Sequence, residues 1–223
     1  MRKGRFSVRL HLNLLSILLF AMLTSGCQSV YYGAMEKVGI HKRDILVDRV
    51  EEAKDAQTDA KEQFASALEQ YQSIVTIEDQ ELVDKYSLLN DEYEDSKSAA
   101  EAVSDRINAV EDVSEALFDE WKDELALYSN ANLRKQSAQK LSKTRRKYNS
   151  LIKAMRRSEK KMAPVLAAFQ DQVLFLKHNL NAQAINALKG ELKTIQGDVA
   201  RLVKEMEHSI KESEAFIKTL SNT

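Results

Sequence analysis

The chain has 223 residues and a formal net charge of −1, with 30% of its residues charged. This balance does not suggest a nucleic-acid-binding protein, for which a strong excess of basic residues is typical. The single cysteine, Cys27, excludes a disulfide within the chain. Only six glycines and one proline are present, which disfavours folds rich in strands and turns.

The first 26 residues have the organisation of a secretory signal peptide. Four basic residues and no acidic ones precede an apolar block at 14–23. This block is much shorter than the ~20 apolar residues of a membrane-spanning helix. Extending it towards the N-terminus would bring Asn13, His11 and Arg9 into the membrane. We therefore predict a cleaved signal peptide over 1–26, and a permanent membrane span is the weaker alternative.

Cys27 lies directly after this segment, in the sequence LTSGCQS. The segment resembles a bacterial lipobox, in which small residues precede a cysteine that is acylated; here these are Ser25 and Gly26. Thr24 departs from the motif, which usually has leucine three residues before the cysteine. Gln28 resembles an outer-membrane sorting signal. We expect lipidation at Cys27, and a free thiol is the alternative.

A lipid on Cys27 would define the location of the protein. Two or three acyl chains, at ~0.8 kcal/mol per buried methylene, hold a protein on a bilayer without any spanning helix. We therefore expect a lipidated tether over 27–40 and a location on the periplasmic face of a bacterial outer membrane. An envelope protein is the expected partner, nucleic acid is not, and the oligomeric state is left open.

The rest of the chain is predicted to be helical throughout. Residues 40–189 contain no glycine, and Pro164 is the only proline. Apolar residues recur at spacings of three and four along four narrow seams, at 46–74, 82–128, 141–180 and 185–210. We predict an all-α fold over 41–223, an elongated antiparallel bundle of four long coiled-coil helices. One bundle and two separate hairpins are both compatible with this pattern.

The predicted helix ends coincide with capping residues. We expect Thr76 to be an N-cap, SNAN (129–132) to be a tight connection, and Asn181 to cap the last helix after Lys177 and His178. Pro164 is interpreted as a kink within the third helix, because the seam continues across it.

Some seam positions carry polar or aromatic residues. Gln57, Ser96 and Ser114 occupy positions that an apolar residue would otherwise fill. The aromatic residues in the seams are expected in the core rather than at a ligand site; they are Trp121, Tyr128, Tyr148 and Phe169.

The charges are divided between the two middle helices. Residues 78–124 contain 17 acidic and 4 basic residues, whereas residues 134–177 contain 13 basic and 2 acidic ones. A hairpin around SNAN would place the acidic helix against the basic one and disfavour self-association of like helices.

Six basic residues of the third helix are expected to face away from its seam, and we consider them a candidate face for an anionic ligand or a partner. They are Lys135, Lys143, Arg146, Lys153, Arg157 and Lys161. The alternative is an ordinary solvated helix back, and a run of basic residues alone is a weak motif.

No pattern in the chain predicts catalysis or a cofactor. Glu205 and His208 are one turn apart, but a di-iron bundle needs two such pairs and two more carboxylates. No glycine-rich loop follows a strand. We expect no metal, no cofactor and no enzymatic activity.

Three stretches and the terminal amphipathic helix resemble an uncharacterised family of bacterial helical lipoproteins, a domain of unknown function. The stretches are YYGAMEKVGIHKRD (31–44), LFDEW (117–121) and APVLAAFQDQVLFLKHNLNA (163–182). The resemblance covers nearly the whole chain after the signal peptide. It implies an envelope lipoprotein with a helical bundle and brings no catalytic residues. A scaffold or adaptor is the expected role, and a binder of an anionic envelope component is the alternative.

Overall fold

The structure, a computed structural model, describes residues 32, 35, 39, 41–76, 81–179 and 181–221. The chain divides into two compact units, Met1–Ile45 and Leu46–Thr223. The predicted signal peptide, Cys27 and Gln28 lie outside the described residues, as does most of the predicted tether. These assignments stay predictions.

Four long α-helices make up almost all of the described chain. They are α1 (Lys42–Thr76), α2 (Leu82–Glu124), α3 (Ala131–His178) and α4 (Ala182–Ser221), with a short 3-10 helix at Leu125–Leu127 after α2. No strand occurs among the described residues. The prediction of an all-α fold with four long helices is confirmed.

Two of the predicted connections are closed by asparagine side chains. The Oδ1 atom of Asn130 accepts hydrogen bonds from the backbone N–H groups of Asn132 (2.9 Å) and Leu133 (3.2 Å) at the start of α3. Asn181 Oδ1 accepts from the N–H group of Ala184 (3.1 Å) at the start of α4. Each asparagine supplies an acceptor to N–H groups that the first helical turn leaves unpaired.

The prediction that Thr76 caps the second helix is wrong. Thr76 is the last residue of α1, and its hydroxyl donates to the backbone carbonyl of Gln72 within the same helix. Glu81 precedes α2 and provides no side-chain cap. Threonine hydroxyls also bond to the carbonyl four residues earlier, so Thr76 is equally suited to the end of a helix.

The third helix continues through its proline, as predicted. Pro164 lies inside α3, which contains 48 residues and is therefore about 72 Å long. Lys177 and His178 are in its last turn, where positive side chains interact favourably with the helix dipole.

Neighbouring helices run antiparallel, as the pairing of their side chains shows. Arg106 of α2 donates to Glu52 of α1 (2.9 Å), and further along Gln63 Nε2 of α1 donates to Glu92 of α2 (2.8 Å). Residues later in α1 therefore contact residues earlier in α2, so the two helices are antiparallel.

The same antiparallel relation continues from α2 to α3 and from α3 to α4. Ser104 of α2 donates to Glu159 of α3 (2.8 Å), and Trp121 Nε1 donates to Ser137 Oγ (2.8 Å). At the next interface, Lys147 Nζ of α3 donates to Thr219 Oγ1 of α4 (2.7 Å).

A contact between the first and last helices shows that the four form one bundle. The Tyr71 hydroxyl of α1 donates to the backbone carbonyl of Leu188 in α4 (2.7 Å), and lies 3.4 Å from Gln172 Oε1 of α3. Of the two arrangements left open by the sequence, one antiparallel bundle is the correct one.

Most of the predicted seam positions lie in the core, including the polar ones. Phe64 of α1, Ile107 of α2, Leu151 of α3 and Leu202 of α4 are among the buried residues. Gln57, Ser96 and Ser114 are also buried, as the seam pattern predicts. The side chains of Gln57 and Ser96 have no hydrogen-bonding partner. Unpaired polar groups in a core are unfavourable.

The expectation that all four seam aromatics lie in the core is wrong for Tyr128. Phe169 is buried and Tyr148 packs against Phe118, with ring centroids 5.3 Å apart. Trp121 is half-buried, whereas Tyr128 is exposed. The seam reaches Tyr128, but the residues around it are not covered by the other helices.

Candidate functional site

The basic and acidic helices are joined at their centre by one arginine. Arg156 of α3 donates to Glu111 of α2 (3.2 Å from Nε), to Asn108 (2.7 Å) and to Glu159 (2.9 Å), with a further short contact from Nη2 to Glu111. The predicted pairing of the acidic and basic helices is therefore present.

The environment of Arg156 keeps its charge fixed. Hydrogen bonding to Glu111 raises the pKa of Arg156 above its already high value, burial opposes this, and Glu159 adds to the increase. Arg156 is thus committed to the α2–α3 interface and is not available to a ligand.

The six basic residues predicted as a binding face are all exposed on α3. Two of them have a partner among the described residues: Arg157 forms an ion pair with Glu205 of α4 (3.8 Å), and Arg146 donates to Ser142 (2.7 Å). The others are Lys135, Lys143, Lys153 and Lys161. Their role in binding stays a prediction.

The structure brings part of this face together with lysines that the sequence reasoning did not select. A groove between α3 and α4, the basic groove, is lined by Lys140, Lys143 and Lys147 of α3 and by Lys218 of α4. Arg146 borders the adjoining part of the groove, where Glu212 is the acidic neighbour. Several positive charges along one groove favour an anionic ligand over a neutral one.

The residues missed by the sequence reasoning had only a weak signal. Lys140 and Lys147 lie three and four residues from Lys143, which the sequence had indicated, and this spacing places all three on one side of α3. Lys218 is 71 residues further along the chain from Lys147. Only the pairing of Lys147 with Thr219 reveals that α4 contributes to this groove.

The connection between α2 and α3 extends beyond the rest of the bundle. We call residues 122–140 the hairpin tip, and none of them is buried. Leu127 is 82% exposed, Leu133 51% and Tyr128 40%. The hydrogen bond from Trp121 to Ser137 joins the two arms at the base of the tip. Apolar side chains at the end of the 3-10 helix and at the start of α3 are therefore exposed.

The opposite end of the bundle also exposes apolar residues. Leu174 and Phe175, in the last turns of α3, are exposed, as is Val83 in the first turn of α2. Gln172, near the same point of α3, lies beside Tyr71 at the end of α1. We call Leu174 and Phe175 the distal apolar pair.

Glu205 and His208 are not joined by further metal-binding residues in the described part of the chain. Glu205 pairs with Arg157, and His208 is exposed. The described part of the chain holds no group of three or more His, Cys, Asp or Glu residues that could bind a metal ion. None of the helices in the described ranges has the length and apolar character of a membrane span.

The comparisons with known proteins identify the family without adding an activity. The family described as a protein of unknown function, DUF2959, matches residues 31–220. No curated protein and no solved structure matches the chain. The expected resemblance to an uncharacterised family is confirmed, whereas its bacterial origin and lipid anchor stay predictions. The match extends over more than half of the chain, which therefore belongs to the DUF2959 family.

Proposed function

We propose that this protein is a non-enzymatic scaffold or adaptor of the bacterial envelope, anchored to the periplasmic face of the outer membrane by a lipid on Cys27. Gln28 serves as the sorting residue in this proposal. The bundle then presents long helical faces to envelope proteins. The proposal is supported by the lipobox-like sequence around Cys27 and by the distal apolar pair on α3.

The distal apolar pair is the observation that carries the scaffold role. Phe175 is 42% exposed and Leu174 is 47% exposed, on a helix held by the bundle. Exposed apolar residues on a rigid element are typical of protein-binding surfaces. Leu46, where the chain enters the second unit, is at the other end of α1 from Tyr71. At a rise of about 1.5 Å per residue, Leu46 and Tyr71 are about 40 Å apart along α1.

The anchor is tested by fractionation of cells that produce the full chain. Cys27→Ala should move the protein out of the membrane fraction, whereas the neighbouring Ser29→Ala should leave it there. Retention of the processed Cys27→Ala protein in the membrane fraction at high salt, which screens contacts to anionic headgroups, would show that the anchor is elsewhere.

The scaffold role is tested by crosslinking in cells. A photoreactive residue at Phe175 should capture an envelope protein, and one at Asn149, an exposed position in the middle of α3, should not. The Leu174→Asp variant should abolish the capture at position 175. No capture at position 175 in a correctly anchored protein would contradict the proposal.

The basic groove supports a second candidate function, the binding of an anionic envelope component such as lipopolysaccharide. Four lysines from two helices converge on it. Replacing Lys143 and Lys147 by Gln should weaken binding of purified lipopolysaccharide more than replacing Lys153 and Lys161, which lie elsewhere on α3. Equal losses for the two pairs would indicate a diffuse charge effect and argue against a defined site.

A further inference from the structure

The hairpin tip combines exposed apolar residues with a local excess of positive charge. Residues 122–140 contain four basic and two acidic residues, although the whole chain has a net charge of −1. The two acidic residues, Asp123 and Glu124, are at the end of α2, and all of the basic ones except Lys122 follow the turn, on α3. Leu127, Tyr128 and Leu133 lie between these two groups.

Exposed apolar residues next to basic ones are typical of protein segments that bind phospholipid surfaces. Apolar side chains enter the boundary between headgroups and acyl chains, and tyrosine is enriched at that depth. Basic residues nearby are attracted to anionic headgroups. Arg134, Lys135 and Lys140 are exposed on the α3 arm next to Leu133, so they are placed to contact phosphates.

The tip lies at the end of the bundle where the chain enters it. Glu52 pairs with Arg106, so Leu46 is level with about residue 112 of α2, and residue 128 is about 25 Å further along. Lys42, where α1 begins, lies 15 positions after Cys27. A chain of that length spans at most about 50 Å. An anchor at Cys27 therefore leaves the tip free to reach the same surface.

We propose that the hairpin tip is a second membrane contact, in which Leu127, Tyr128 and Leu133 insert into an anionic phospholipid surface. This inference rests on the proposed anchor for the direction in which the tip faces. Two contacts would hold the bundle upright on the membrane, with the distal apolar pair directed away from it. The lipid on Cys27 alone would leave the bundle free to tilt.

The test uses the full chain, in which Cys27 is the only cysteine. If Cys27 is acylated, an introduced cysteine is the only free thiol. Ser129→Cys in the tip and Ser87→Cys on α2 form a matched pair, because both serines are exposed. Each variant is labelled with an environment-sensitive fluorophore and reconstituted into phosphatidylethanolamine–phosphatidylglycerol vesicles that carry nitroxides on their acyl chains.

The proposal predicts that the nitroxide quenches the probe at position 129 at least about threefold more than the probe at 87, as expected for a group at the headgroup boundary. The difference should shrink when phosphatidylcholine replaces phosphatidylglycerol. Combining Leu127→Asp and Leu133→Asp in the Ser129→Cys protein should remove the quenching while far-ultraviolet circular dichroism stays unchanged.

Three results would overturn the proposal and are distinguishable. Vesicles that float with the protein but leave both probes unquenched would contradict the tip contact and leave the anchor intact. Wild-type protein that takes up label at Cys27 and fails to float would contradict the anchor and, with it, the orientation of the tip. An in-cell crosslink from position 127 to a protein, with no quenching at 129, would identify the tip as a protein-binding surface instead.

Discussion

The helix α3 passes through two different environments. Further along the helix, Leu151, Met155 and Phe169 are buried in the bundle. In its first turns, Leu133 is exposed, although it is as apolar as Leu151. The difference is the number of neighbouring helices, since the hairpin tip consists of α2 and α3 alone. An apolar seam shows which side of a helix faces its partners, but not how many partners are present at that point.

The two regions should therefore differ most in their contribution to stability. Leu151→Ala should lower the free energy of unfolding by about 2–5 kcal/mol, because it leaves a cavity in a packed core. The matched variant Leu133→Ala, on the same helix, should change it by less than about 0.5 kcal/mol. Urea denaturation followed by circular dichroism measures both values.

A loss of more than about 1 kcal/mol in Leu133→Ala would show that the tip is packed rather than exposed. A loss of that size would also weaken the proposal that the tip is reserved for a membrane. The slope of the denaturation curve should be the same in both variants, which confirms that only the stability has changed.

A second comparison concerns arginines in the two regions. Arg156 is 29% exposed and bonds to two carboxylates, Glu111 of α2 and Glu159 of its own helix, whereas Arg134 is exposed in the tip. Arg156→Ala should lower the free energy of unfolding by about 1–2 kcal/mol, because Glu111 and Glu159 lose their shared donor. Arg134→Ala should be neutral within about 0.5 kcal/mol.

The same comparison can be sharpened with a double-mutant cycle. Combining Arg156→Ala with Glu111→Gln should give a smaller total loss than the sum of the two single losses. Additive losses would show that the contact between Arg156 and Glu111 contributes nothing of its own.

Much of the fold was accessible from the sequence because it depends on local signals. The absence of glycine from 40–189 and the spacing of the seams predict four helices, and Asn130 and Asn181 mark two of the helix starts. Gln57 and Ser96 were identified as core positions by their register alone.

The features of the fold and of the basic groove that the sequence did not predict depend on the register between helices. Lys218 joins the basic groove only because α4 aligns with α3 through Lys147 and Thr219. Phe216 is buried beyond the predicted end of the last seam, where Ser209 and Ser213 interrupt the apolar pattern. The exposure of Tyr128 follows from where the other helices stop. None of these features has a signal within its own stretch of sequence.

Two tyrosines extend the comparison to hydrogen bonding. Tyr71 is buried and donates to the carbonyl of Leu188, so Tyr71→Phe should lower the free energy of unfolding by about 1 kcal/mol at neutral pH. Tyr128→Phe, in the exposed tip, should leave it unchanged. Thermal and urea unfolding of the two variants measure the difference.

Tyr71 also predicts a dependence on alkaline pH. Burial, and then the charge of Glu191, raise the pKa of Tyr71 above its ordinary value. The folded state therefore favours the neutral phenol, and this stabilisation is complete below about pH 10 and is lost as the pH rises beyond it. The fall in stability above pH 10 should be shallower in Tyr71→Phe. An identical slope in the variant and the wild type would show that Tyr71 does not contribute.

The two asparagine caps provide the finest test of how separate the tip is from the bundle. Asn181→Ala removes the cap of α4, whose first turns include the buried Ala184, and should lower the global free energy of unfolding by about 1 kcal/mol. Asn130→Ala removes an equivalent cap from α3, but the turn that it holds has no buried residue. Its loss should therefore appear as local fraying, with several-fold faster amide exchange confined to residues 131–135 and a global change in the free energy of unfolding below about 0.5 kcal/mol.

Equal global losses in the two variants would mean that the hairpin tip unfolds together with the bundle. The tip would then belong to the same cooperative unit as the core.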